Sequence, residues 1–331
     1  MPQPAELDRL LQPILDIYQA AQASIEEQLQ GIVDEAAQAR RVRRLRELQR
    51  SIDAEMRMLR AATADWLSGE FPRVYELGGV QGAGQVGGEF AWSQANVDAV
   101  QRMAADTFDQ VLSATEFVSA EAKSWVREAA RRQTALSLTE GRTAVQAGRA
   151  LAKDLAAGRL ADALGGPVGM VRYGDGSLRR LDDYAEMLMR TRTAVAFNQG
   201  SLDQFSQFGV GWVEVLDGQG CGWTSHDDGD TADGTVRTVQ AAGQHPLSHP
   251  NCRRSFIGRP DIETAERARD ARPSTTAAQR ADQAQAEADR AAQVERRREA
   301  RAARDVRSSS SAGRVPRGAR SARAGRGPRG G

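Results

Sequence analysis

At roughly 150 residues per domain, a chain of 331 residues has room for about two compact units and tails. Hydrophobic residues make up 40% and aromatics only 5%, so the core must be built from aliphatics and alanine, which favours helices over a β-sandwich. Two cysteines are too few for a disulfide-built miniprotein, no apolar run reaches the ~18 residues of a membrane span, and the net charge of +1 hides a strong asymmetry.

From Arg307 to the end there are seven arginines and no acid, a local charge of +7 that leaves −6 on residues 1–306. The start MPQPAELDRL has neither the basic residues nor the apolar stretch of a signal peptide, which predicts a protein made and kept in the cytosol.

In chain order, residues 5–67 read as helix. Leu7, Leu11, Ile14, Tyr18 and Ala21 form one stripe, Leu45, Leu48, Ile52, Met56 and Leu59 another, and Gly31 is the expected break or bend. The arginine run at 40, 41, 43, 44 and 46 is flanked by Glu35, Glu47 and Asp53 at helical spacings, so a salt-bridged solvent face is expected there rather than a nucleic-acid contact. Six glycines among the eleven residues 78–88 predict a linker, because glycine in a helix costs backbone entropy.

Val97, Val100, Ala104, Phe108 and Val111 begin the next helix, and a further one is expected from about Glu140 behind Thr139 to the stop at Gly165-Gly166-Pro167. MVRYGDGSLRRL reads as a hairpin turning at Asp175-Gly176. The most regular helix follows, with Leu181, Tyr184, Leu188, Thr191, Val195, Asn198, Leu202 and Phe205 on one stripe. Thr191 and Asn198 either mark the edge of that stripe or bond to whatever packs on it.

Beyond Gly209, strands are expected at 212–216, 236–239 and 253–258, then an exposed polar helix and a terminus disordered by composition. The expected fold is thus mainly α, with a small C-terminal α+β module, zinc-stapled, and a disordered basic tail. Its parts are 1–77 (long helices), 78–91 (linker), 92–205 (helical domain), 206–260 (module), 261–306 (exposed helix) and 307–331 (tail).

All three histidines and both cysteines lie within 32 residues: Cys221, His226, His245, His249 and Cys252. The spacing C-x4-H, then H-x2-C after a strand-bearing insert, resembles the two short-spaced pairs that close a tetrahedral Zn²⁺ site. The alternative is packed thiols or a disulfide, with histidines bonded to the acids Asp217, Asp227, Asp228, Asp230 and Asp233. DDGDTADG lacks the spacing of a calcium loop. There is no H-E-x-x-H, no G-x-S-x-G and no glutamate base beside the histidines, and a closed four-ligand site offers substrate no position, so structural zinc is expected and catalysis is not.

The segment 181–258 resembles the MuF-like minor capsid proteins, the head morphogenesis family of tailed bacteriophages, in its actinophage form; the helices from about 92 onward are also similar. The residues that carry the resemblance are Arg190-Thr191, Asp217-Gly218 with Cys221, and the closing His249-Pro250-Asn251-Cys252-Arg253. Many relatives have two cysteines in each half and end in C-R-C. Here His226 stands in the first half and Arg254 where the last cysteine would fall, which leaves Cys221, His226, His249 and Cys252 as the implied ligand set, with Thr191, Asn198 and Asp217 as outer support.

The resemblance implies a low-copy structural protein inside the virion head, assembled in the host cytoplasm with the portal, head and scaffold proteins and lying near packaged DNA. Its enzyme alternative is a capsid maturation peptidase using Cys221 or a metal-bound water; a nucleic-acid-binding module is the third reading. Arg314, Arg317, Arg320, Arg323, Arg326 and Arg329 recur every third residue among Gly, Pro, Ala and Ser, so the tail is expected to stay extended and track phosphates.

Overall fold

The computed structural model describes residues 5–34, 38–138, 170–173 and 177–271. The chain divides into Met1–Arg280 and Ala281–Gly331, and every described residue belongs to the first unit. The third predicted helix, the hairpin tip, most of the exposed helix and the arginine tail lie outside the described residues, as do the side chains of 40–46.

The protein is mainly helical. Three long helices, α1 (Glu6–Asp34), α2 (Gln38–Gln85) and α3 (Gln94–Leu138), are followed by the strands β1 (Met170–Arg172) and β2 (Leu178–Arg180), which pair antiparallel as the predicted hairpin. Helix α4 (Leu181–Gln207) leads into β3 (Trp212–Leu216), β4 (Val236–Thr238), the short α5 (Val239–Gln244), β5 (Ser255–Gly258) and α6 (Ala265–Asp270). The second sheet is antiparallel in the order β4-β3-β5. Among the described residues no helix is long and apolar enough to cross a membrane.

The stripes seen in the sequence are the buried faces. Leu7, Leu11, Ile14, Tyr18, Ala21 and Ile25 of α1 meet Leu48, Ile52, Met56 and Leu59 of α2 in one apolar core, which continues through α3, β1 and the first half of α4. Two of the polar groups inside it are paired across helices: the Tyr18 hydroxyl bonds Thr63 Oγ1 at 3.0 Å, and Trp66 Nε1 donates to the Leu10 carbonyl at 2.8 Å. A second core, with Leu202, Phe205, Val213, Val215, Trp223 and Phe256, lies under the sheet.

Two expectations are corrected. Gly31 lies inside α1, and α2 runs helical through Gly78, Gly79, Gly82 and Gly84 to Gln85, so residues 78–85 are no linker and the helices on either side share one core. The reason is a close crossing with α4. A Cβ on Gly78 would strike the Phe197 carbonyl, one on Gly82 would sit 2.8 Å from Ser201 Cα, and one on Gly200 would strike the Tyr75 carbonyl. Ser201 Oγ seals the contact by donating to the Gly78 carbonyl at 2.8 Å. The entropy that glycine costs the helix is offset by the backbone approach that it permits.

Helix α4 is also buried on more than the one predicted stripe. Ala185, Met189, Ala194, Ala196 and Phe197 are buried as well, because α4 passes between the long helices and the sheet. Beyond the crossing, the end of α2 holds the sheet's edge: Gln85 Oε1 accepts from Gly258 N at 3.0 Å on β5.

Gly200→Ala should destabilise the fold by about 1–3 kcal/mol through overpacking. Gly69→Ala, in the same α2 where an added Cβ meets nothing within 4 Å, should instead stabilise by about 0.5–1 kcal/mol in chemical denaturation.

Candidate metal centre

Two turns bring the cysteines into position. In Gly218–Cys221 the Cys221 amide donates to the Gly218 carbonyl at 3.0 Å, and Gly220 at φ +90° supplies the positive φ of a type II turn. His249-Pro250-Asn251-Cys252 repeats the arrangement, with Cys252 N to His249 O at 3.1 Å, proline at the second position and Asn251 at φ 63°. Each cysteine therefore ends a tight turn, and the sheet places the two turns side by side.

Three of the predicted ligands meet. The ligand atoms of Cys221, His226 and His249 all lie within 4.8 Å of one another. Cys221 Sγ is 3.5 Å from His249 Nε2 and 3.9 Å from His226 Nδ1. Zn–S near ~2.3 Å and Zn–N near ~2.0 Å at a tetrahedral angle imply an S···N edge of about 3.5 Å, so the group has the dimensions of a metal site. His249 Nδ1 lies 2.8 Å from the Pro250 carbonyl, which can only accept; in the neutral ring Nδ1 thus carries the hydrogen and Nε2 directs its lone pair toward Cys221.

Cys221 is buried, His249 half-buried and His226 exposed. Burial first, then the Asp217 carboxylate and Cys252, pushes the Cys221 thiol up to about 11, so a metal would have to displace its proton. The loop carrying His226 is fixed by Asp228, which accepts from Thr224 N at 3.0 Å, Thr224 Oγ1 at 2.6 Å and Asp230 N at 3.0 Å. Those bonds hold the half-buried Asp228 carboxyl down at about 2. Asp230 pairs with Arg237 at 2.6 Å and Asp233 accepts from Asp217 N at 3.1 Å, so these acids brace the loop.

Cys252 is not one of the group. Its thiol donates to Asp217 Oδ1 at 3.3 Å and lies 3.5 Å from Ser248 Oγ. His245 is likewise elsewhere, its ring 5.4 Å from that of Trp223.

Thr191 and Asn198 do bond to what packs on their helix. Thr191 Oγ1 accepts from Asn251 N at 3.2 Å, in the second turn. Asn198, fully buried, donates to the carbonyls of Pro246 and Arg254 at 2.9 and 2.8 Å. Arg190 meets Asp8 of α1 at 2.9 Å, and Arg253 reaches the same carboxylate at 3.5 Å.

The residue that sequence reasoning missed is Arg254, which is 0% exposed. Its Nε donates to Asp217 Oδ2 at 2.8 Å, Nη1 to the carbonyls of Trp223 (2.9 Å) and His245 (2.8 Å), and Nη2 to that of Gly222 (2.7 Å). The guanidinium also lies 4.8 Å from the Trp223 ring centroid. One cation thus ties the first turn, the Gly222-Trp223 segment that follows it and the His245 segment together. A signal was present: in the strand expected at 253–258, Arg254 stands two residues before Phe256 and so on the side of that apolar ring.

No family model, curated protein or solved structure matches this chain.

Arg254→Met should destabilise the fold by about 3–5 kcal/mol, because it leaves the Asp217 carboxylate buried without its partner. Arg254→Lys should recover little of that, since an ammonium cannot make the fork. Asn198→Leu removes the donor from two carbonyls and should cost about 1–3 kcal/mol in chemical denaturation; unchanged stability would contradict its bridging role.

Proposed function

We propose that this chain is a structural head-morphogenesis protein of a tailed phage, of the MuF-like minor capsid kind, carrying a metal-binding module on a helical body. The observation that supports this reading is convergence. Residues that carry the resemblance, from separate stretches of the sequence, join in one connected cluster: Thr191 to the Asn251 amide 60 positions on, Asp217 to Cys252 35 positions on, and Cys221 to His249 28 positions on. Arg190 and Arg253 extend it to α1 through Asp8.

On this reading the protein acts inside the virion head with the portal, head and scaffold proteins. The arginine repeat from Arg314 to Arg329 tracks packaged DNA without sequence preference. The ion at the Cys/His group is zinc, favoured by one thiolate and two imidazoles at a tetrahedral edge length.

The peptidase reading has one observation in its favour, the Cys221–His249 pair with His249 oriented by a carbonyl. Its weakness is the thiol, pushed up to about 11 where a nucleophile needs the thiolate at neutral pH.

The test is the protein content of purified heads. The chain should be found in them, and head-protein processing should be the same with Cys221→Ser or His249→Ala as with the wild type; processing lost in either variant would favour the peptidase. Duplex binding by the full chain should fall with salt at a slope near ~0.9 per phosphate neutralised, and truncation after Arg307 should remove most of it. Equal binding by both forms would take the tail out of the DNA contact.

A further inference from the structure

We propose that the metal centre is formed by Cys221, His226 and His249 alone, with its fourth position open to a small exchangeable ligand, while Cys252 belongs to the buried arginine network instead. This inference rests on the metal reading above and departs from the four-ligand set that the sequence implies.

The two cysteines share Asp217 and Ser248 as neighbours and differ in that the histidine nitrogens meet Cys221. Cys221 Sγ faces the imidazole nitrogens at 3.5 and 3.9 Å. Cys252, only 3% exposed, has its Sγ facing Asp217 Oδ1 at 3.3 Å, and that carboxylate also accepts from Gly218 N and Arg254 Nε, each at 2.8 Å. Drawing Cys252 toward the histidines would pull a donor off a carboxylate whose neighbours are fixed by the strand and both turns.

A structural zinc site needs four protein ligands because it must hold chain segments together. Here Arg254 already holds them, through three carbonyls and the Asp217 carboxylate. The ion is released from that duty, and three ligands with a free position are what remains.

The free position faces solvent, since His226 is exposed and His249 half-buried while Cys221 lies on the protein side. A divalent ion with one thiolate and two neutral imidazoles keeps a net positive charge. The ligand class that fits is therefore a small anionic donor, with water in its place otherwise.

The test uses the full chain loaded with Co²⁺ in place of zinc. X-ray absorption should give one sulfur and three nitrogen or oxygen neighbours, and azide should shift the visible bands saturably. Cys252→Ser should keep the metal stoichiometry, the neighbour count and the azide response, whereas Cys221→Ser should lose bound metal. Two sulfur neighbours in the wild-type protein, or no response to azide, would overturn the open three-ligand centre while leaving the metal reading intact. No bound metal at all would overturn both. The wild-type measurement stands even if a variant fails to fold.

Discussion

The C-terminal module depends on the fully buried Arg254. A guanidinium taken wholly out of water costs several kcal/mol unless its donors are satisfied. Arg254 meets that requirement with one carboxylate and three backbone carbonyls, drawn from residues 217, 222, 223 and 245. Each acceptor would be costly to leave unpaired in turn, so the loops have one arrangement in which all are satisfied. A planar, permanently charged fork makes that possible where an ammonium would not.

Helix α4 carries this arrangement to the rest of the protein. On one side its Gly200 and Ser201 press against α2 at backbone distance. On another, Asn198 donates to the carbonyl of Arg254 itself, and Thr191 accepts from the turn that ends in Cys252. The end of α2 reaches the same sheet through Gln85. Asn198 Oδ1 is buried within this packing and makes no hydrogen bond.

Much of this was legible in the sequence, for identifiable reasons. The apolar stripes of α1 and α2, the hairpin strands and the three module strands follow from periodicities of about 3.6 and 2, which burial imposes directly. Thr191 and Asn198 stood out as polar residues on an apolar stripe. The glycine-rich end of α2 misled because glycine's entropic cost is local, whereas the close crossing with Gly200 that offsets it lies more than a hundred residues away. Cys252 was grouped with the metal ligands because spacing reports which residues can meet, not which partner a thiol finds; Asp217 and Arg254 decide that in three dimensions. In the sequence Arg254 marks only the place of a missing cysteine; arginine is seldom fully buried, and three of its four acceptors are backbone carbonyls that no side-chain pattern displays.

Arg254 is expected to hold the loop and the turns beside it with no metal bound. Amide hydrogen exchange on metal-free protein tests it most directly. The reporters are the amides of Cys221, Trp223 and Ala232, which donate within the loop to Gly218, Asp230 and Cys221 carbonyls at 3.0, 2.7 and 2.9 Å. After complete chelation these amides should exchange as slowly as those of β3, because Arg254 still holds the carbonyls of Gly222 and Trp223. Rapid exchange in the chelated protein, with protection restored on adding zinc, would contradict the account and return the stapling role to the metal.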